Sequence, residues 1–187
     1  MSKGKLFVFS GASGVGKSTV LSKVMDQRKD LRFSVSATTR APRPGEVEAV
    51  NYYFVSKAQF QEMIRQDAFL EYDAHMDNYY GTPKAQLEEK LQSGSVILDI
   101  EPNGALNVKK QSPEAVLIFI APPSAEELER RLRGRGDTSE EQIKLRLERV
   151  QWEVAQSAQY DYVVVNDEVD TCVEKILNII TKTMEEN

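Results

Sequence analysis

Leu6-Phe7-Val8-Phe9-Ser10-Gly11-Ala12-Ser13-Gly14-Val15-Gly16-Lys17-Ser18-Thr19 decides how the rest of the chain is read. A short apolar run, the mark of a buried strand, gives way to a glycine-rich loop and then to a helical pattern from about Lys17 to Arg28. The octet Gly11 to Ser18 fits G-x-x-x-x-G-K-[ST]. Its glycines let the backbone curl so that successive N–H groups converge on one anion, and the positive N-terminal end of the helix adds to the attraction. In such a loop the lysine, here Lys17, reaches the β- and γ-phosphates, and the hydroxyl, here Ser18, ligates magnesium. Gly11, Ala12, Ser13, Gly14, Val15, Gly16, Lys17, Ser18 and Thr19 are therefore the candidate triphosphate-binding set. The bland alternative is a ligand-free turn between strand and helix. A chance match in a chain of this size is on the order of one in a hundred or rarer, and this one lies where the mechanism needs it.

Outward from the loop, apolar runs alternate with helical patterns, as in a parallel sheet covered by helices. Val96-Ile97-Leu98-Asp99-Ile100, Val116-Leu117-Ile118-Phe119-Ile120 and Tyr162-Val163-Val164-Val165 read as further buried strands. Asp99, at the carboxyl edge of its strand, is the second candidate magnesium ligand beside Ser18. Ser56-Lys57-Ala58-Gln59 and Ser124-Ala125-Glu126-Glu127 fit the capping box. Thr82-Pro83 reads as a cap followed by a first-turn proline, with Gly94 ending that helix. Val169, Cys172, Val173, Ile176, Leu177 and Ile180 form one apolar stripe on a last helix, which is core.

The 187 residues suit one domain, and their net charge of -5 argues against nucleic acid as a partner. Anionic ligands must then be met by local arginines and lysines. One histidine and one cysteine argue against a transition-metal site but leave magnesium open. The lone Cys172 and the shortness of the first apolar run predict a soluble cytoplasmic protein with no membrane partner.

Two stretches break the alternation. Residues from about 34 to 81 carry short strand-like runs, Pro42, Pro44 and five tyrosines, and read as an inserted subdomain. Within it, Arg40 and Arg43 are spaced to grip a phosphate monoester, each guanidinium offering a planar fork of donors. Residues from about 126 to 150 read as a charge-dense helical hairpin around Gly134-Arg135-Gly136, a mobile lid. The core is left with residues 1–33, 82–125 and 151–187. No Asn-Lys-x-Asp motif reads guanine as in a GTPase, so a second anion site and an arginine-bearing lid point to a kinase of a small acceptor.

Taken together, Thr38-Thr39-Arg40-x-x-Arg43-x-Gly45-Glu46, Asn78-Tyr79-Tyr80-Gly81, Ile120-Ala121-Pro122-Pro123-Ser124 and Gly134-Arg135-Gly136 make the whole chain resemble the guanylate kinases. The resemblance implies a three-layer α/β P-loop kinase fold with a parallel core sheet, a GMP-binding insertion and a helical lid. It implies magnesium-dependent transfer from ATP to GMP, giving ADP and GDP, with dGMP left open as an acceptor. By position, Arg40, Arg43, Tyr52 and Tyr80 would hold the GMP phosphate. Ser36, Glu71 and Thr82 would read guanine, with Gly81 and Asp99 in the same acceptor set. Arg135 and Arg146 would act on the transferring group alongside Lys17, with Arg131 nearby, and Asn166 would contact the adenine of ATP. Arg130 and Arg149 read instead as solvated helix charges. The chain departs from the family pattern at Ala12, Asn51, Asp77, Glu101 and Asn103. Two other readings stay open: a scaffolding module of the same fold that binds proteins, and a kinase for another acceptor. Oligomeric state is left open as well.

Overall fold

A computed structural model of the chain describes residues 4–75, 77–133 and 140–186, with the backbone alone at 75, 131, 132, 140–142 and 146. The chain divides into two compact units. One comprises the residues up to Phe7 together with Asp30–Ala115, and the other Val8–Lys29 together with the residues from Val116 onward.

The first strand, β1 (Leu6–Gly11), is buried along its whole length and leads through the glycine loop into α1 (Lys17–Gln27). After β2 (Arg32–Phe33) come β3 (Ala37–Thr38), β4 (Tyr53–Phe54) and α2 (Lys57–Arg65). Next are β5 (Phe69–His75), β6 (Asn78–Pro83) and α3 (Lys84–Ser93). The chain continues through β7 (Val96–Asp99), α4 (Pro102–Gln111) and β8 (Val116–Ala121). It closes with α5 (Ala125–Arg133), α6 (Glu140–Gln156), β9 (Tyr162–Val165) and α7 (Val169–Glu185). A five-stranded sheet has the order β2-β7-β1-β8-β9, and a four-stranded sheet the order β4-β3-β6-β5. In the larger sheet β2 runs parallel to β7, and β8 parallel to β9. The predicted mixed α/β fold with a parallel sheet is thus present.

In the first unit, the smaller sheet is mixed: β3 lies parallel to β4 and antiparallel to β6, while β5 and β6 are antiparallel neighbours. Its core is aromatic. Phe60, the one buried residue of α2, stacks on Phe69 at 4.4 Å and on Tyr79 at 5.4 Å between ring centroids. A side chain at Gly81 would collide with Phe60 and Phe69, so the glycine is what lets β6 lie under these rings. The capping box expected at Ser56 is complete. The Gln59 N–H donates to Ser56 Oγ at 3.2 Å, and the Ser56 N–H donates to Gln59 Oε1 at 2.8 Å.

Thr82 departs from its expected role. It is not the cap of α3 but a residue of β6, and Pro83 occupies the cap position without a side-chain bond. The Thr82 hydroxyl is turned inward to a carboxylate, a stronger acceptor than a backbone group.

In the second unit, α7 packs on α1 and on β9 through Cys172, Val173, Ile176 and Ile180. Burial pushes the Cys172 thiol up to about 11, so it stays a protonated core side chain. The sequence predicts β9 to be covered on both faces, yet Val163 is 49% exposed and Val165 42%. As the last strand of its sheet, β9 buries Val164 and turns its neighbours outward, which is the period of a half-covered strand. At the start of α5, the Ser124 hydroxyl accepts the Glu127 N–H at 3.1 Å, and the Glu127 carboxylate holds Arg130. Among the described residues, no helix is long and apolar enough to cross a membrane.

Candidate active site

The phosphate loop belongs to the second unit. Gly14 and Gly16 sit at φ 82° and 90°, a left-handed conformation that a side chain would strain. Between them the loop turns on a bond from the Val15 N–H to the Ala12 carbonyl at 3.1 Å. Ala12 and Val15 are buried beneath the loop, and Ser13 is exposed. Gly16 is the N-cap of α1, which puts Lys17, Ser18 and Thr19 in its first turn, where the outward-pointing backbone N–H groups and the helix dipole favour an anion. Lys17 is half-buried, and Ser18 and Thr19 face solvent.

Two buried side chains grip this loop. Asn166, 1% exposed, donates from Nδ2 to the Val15 carbonyl at 2.7 Å, and its own N–H donates to Ala121 at 2.8 Å. Its amide therefore braces the backbone of the phosphate loop, whereas the family resemblance puts this position at the adenine. Glu153 accepts the Ser13 N–H at 3.0 Å through Oε2 and Arg149 Nε–H at 2.8 Å through Oε1. Nothing in the sequence singled out Glu153, because a glutamate at helical spacing from arginines looks like a solvated pair. Arg149, read as such a charge, is instead half-buried and tied to the loop through Glu153, while Arg130 does pair on the surface with Glu127. Gly134 to Gly136, with Arg135, lie outside the described residues, as do the side chains of Arg131 and Arg146.

The first unit carries two clusters of the predicted acceptor residues. In one, threonines stitch β3 to β6 and place Arg40. Thr38 Oγ1 donates to the Tyr79 carbonyl at 3.1 Å and accepts the Arg40 N–H at 3.2 Å, while Thr39 Oγ1 accepts the Tyr79 N–H at 2.9 Å. The Arg40 guanidinium lies over the Tyr52 ring, 5.4 Å from its centroid, and Tyr52 meets Tyr80 edge-on at 6.0 Å. Glu46 takes Arg40 in a two-pronged pair, 2.9 Å from Nη1 and 2.8 Å from Nη2. That pairing is the main reason the Glu46 carboxyl is held down at about 2 and the Arg40 guanidinium is raised above its ordinary value. Arg43 joins through its backbone N–H, 2.7 Å from Glu46 Oε2, while its side chain is exposed. Glu46 closes the motif that begins at Thr38 but has no role of its own predicted from the sequence, although an acid three residues beyond a second arginine is a signal for one.

The other cluster is buried. Thr82 Oγ1 donates to Glu71 Oε1 at 2.6 Å across the β5–β6 pair, and Glu71 is only 6% exposed. Burial, reinforced by the nearby Asp73 charge, pushes the Glu71 carboxyl up to about 7 against the downward pull of Thr82. Ser36, also buried, directly precedes β3, whose Ala37 faces Gly81, one residue from Thr82. Gly104 in the first turn of α4 is a further residue the sequence did not mark: a Cβ there would overlap Glu71 Oε2. Helix α4 can lie this close because Gly104 is bare, and Gln111 fixes its far end by donating to the Leu70 carbonyl at 2.6 Å. Asn103, a departure from the family pattern, faces Asp73 with its amide at 3.4 Å. Asp77, another departure, takes φ 63°, the conformation a glycine would hold without strain.

Asp99 ends β7, half-buried. Among the described residues no group of three or more His, Cys, Asp or Glu side chains could hold a metal by itself. In the second unit, a cation at the phosphate loop would rest on hard oxygen donors, the Ser18 hydroxyl together with phosphate oxygens, a donor set that suits magnesium.

Comparison with known proteins adds an independent line. Residues 3–183 match the family model described as guanylate kinase. A guanylate kinase of Thermus thermophilus is 51% identical over 180 residues, covering 96% of this chain and 81% of the relative. One from Prochlorococcus marinus is 46% identical over 177 residues, covering 94% and 96%. The crystal structure of guanylate kinase from Anaplasma phagocytophilum superposes with a TM-score of 0.79 at 32% identity, covering 97% of this chain and 86% of that one.

Proposed function

The chain belongs to the guanylate kinase family, and from that premise we propose that it transfers the γ-phosphoryl group of ATP to the phosphate of GMP, giving ADP and GDP. The observation that carries the reading is the intact phosphate loop, with Gly14 and Gly16 in the left-handed conformation and Lys17 opening α1. A scaffolding module that binds only proteins has no use for that loop.

Phosphoryl transfer asks the protein chiefly for positioning and charge neutralisation, so no covalent nucleophile is needed. Lys17 and the first-turn N–H groups of α1 hold the triphosphate and follow its charge as the γ-phosphoryl group moves. Ser18 and Asp99, with phosphate oxygens, would hold magnesium, which would supply further neutralisation of the developing charge. Arg135 and Arg146 on the lid, residues 126–150, meet the transferring group, with Arg131 beside them. The insertion, residues 34–81, holds the acceptor. Arg40, Arg43, Tyr52 and Tyr80 take the GMP phosphate, and the Glu46 pair, which occupies the Nη1–Nη2 edge of Arg40, fixes that side chain in place. Glu71, Ser36 and Thr82 read the base. The carboxylate accepts from guanine N1–H and the 2-amino group, the Ser36 hydroxyl donates to O6, and the Thr82 hydroxyl, whose one proton goes to Glu71, holds that carboxylate in place. Asn166 serves the donor side through Val15. The enzyme works in the cytoplasm, where the buried Cys172 stays reduced.

The test is ADP formation with a panel of nucleoside monophosphates. Guanine presents Glu71 with two donors, hypoxanthine with one, and adenine with a bare acceptor. A site whose polar groups are left unpaired rejects an analogue by roughly 10⁴-fold. The expected order of kcat/KM is GMP, then IMP, then AMP, and equal use of AMP would overturn the assignment.

A further inference from the structure

Glu153 is a carboxylate with 1% of its surface exposed, on a helix face that otherwise buries apolar side chains, Ile143 and Val150 among them. Burying a charge in such a place costs free energy unless both oxygens are engaged. They are: Oε2 accepts the Ser13 N–H at 3.0 Å and Oε1 accepts Arg149 Nε–H at 2.8 Å. Ser13 lies between Ala12, whose carbonyl closes the turn on Val15, and Gly14, at φ 82°. On the far side of that turn Asn166 donates to the Val15 carbonyl. The loop is thus held by one acceptor and one donor, and neither contact consumes an N–H of Lys17, Ser18 or Thr19.

We propose that Glu153 is a positioning residue for the donor triphosphate. By holding the Ser13 N–H it fixes the phosphate loop in its curled shape before ATP arrives. Glu153 thereby ties the loop to α6, the helix that also carries Arg146, and Arg149 fixes the side chain that makes the tie. Preorganisation of this kind raises affinity by removing the ordering cost from the binding step. The inference rests on the ATP-to-GMP reading above.

Calorimetric titration of magnesium-ATP and, separately, of GMP tests it on the wild type, Glu153→Ala and Glu153→Gln. Glu153→Ala leaves Ser13 without its acceptor and is expected to weaken ATP binding about tenfold, the scale of one lost charge-assisted hydrogen bond. GMP affinity is expected to stay within about twofold, because the loop is the donor's site. Glu153→Gln keeps an acceptor oxygen at nearly the same shape and is expected to recover most of the ATP affinity. Its Ser13 amide resonance should move as the acceptor loses its charge, a readout that stands even if the alanine variant does not fold. Unchanged ATP affinity in a folded Glu153→Ala, an equal loss for ATP and GMP, or a Ser13 resonance unmoved in Glu153→Gln would overturn the proposal. A wild type that does not bind ATP would instead sink the functional reading beneath it.

Discussion

Burial pushes the Glu71 carboxyl up to about 7, and on the proposed base-reading role this should make recognition of GMP dependent on pH. The rise from 4.5 in the folded chain is worth about 3 kcal/mol between the two protonation states. The folded state therefore keeps a proton that the unfolded state releases above 4.5. Stability conferred by the neutral acid is fully present below that point and declines as pH rises towards about 7, by up to about 3 kcal/mol in total. Binding runs the other way. Guanine N1–H and the 2-amino group are donors, so only the ionised carboxylate can accept from both. With a pKa near 7 the ionised fraction climbs from roughly a tenth at pH 6 to roughly nine-tenths at pH 8, and kcat/KM for GMP should rise about tenfold across that range. Glu71→Gln, similar in shape and without a titrating proton, should lack this step. It should also be the more stable protein of the two at pH 8, since it buries no charge. The GMP phosphate titrates in both proteins, so the ratio of the two pH profiles isolates Glu71. A ratio that stays flat from pH 6 to 8, or denaturation midpoints with the same pH dependence in both proteins, would show that Glu71 does not titrate in this range.

Lys17→Ala should leave the circular dichroism spectrum unchanged, since the side chain is only half-buried, while kcat falls by roughly 10²-fold or more. Gly104→Ala places a methyl group where Glu71 Oε2 now lies, so it should cost about 1–3 kcal/mol in denaturant unfolding. It should also raise the KM for GMP while leaving that for ATP in place. Arg135→Ala should lower kcat by on the order of 10³-fold with little change in either KM, which steady-state kinetics would show.

Much of this molecule is legible in its sequence because the informative signals are local. A phosphate loop needs glycines, a lysine and a hydroxyl at fixed spacing, so Gly11 to Ser18 announce strand, turn and helix together. Buried strands such as Val96–Asp99 declare themselves by unbroken apolar runs. What escaped is set by tertiary partners. Thr82-Pro83 has the local chemistry of a cap, but a carboxylate eleven residues earlier captures the hydroxyl. Val163 looks like its buried neighbours until the strand order puts β9 at an edge. Glu153 and Gly104 act through what lies across from them, Ser13 in one case and Glu71 in the other, and sequence spacing carries no record of either pairing.

In the proposed reaction the γ-phosphoryl group of ATP ends on GMP. Incubation of the enzyme with γ-labelled ATP, magnesium and GMP, followed by separation of the nucleotides, tests this directly. The label is expected in GDP, at the β-phosphate, in step with the ADP formed, with little released as inorganic phosphate while GMP is present. Label found only in inorganic phosphate, or no turnover of ATP that depends on GMP, would contradict it.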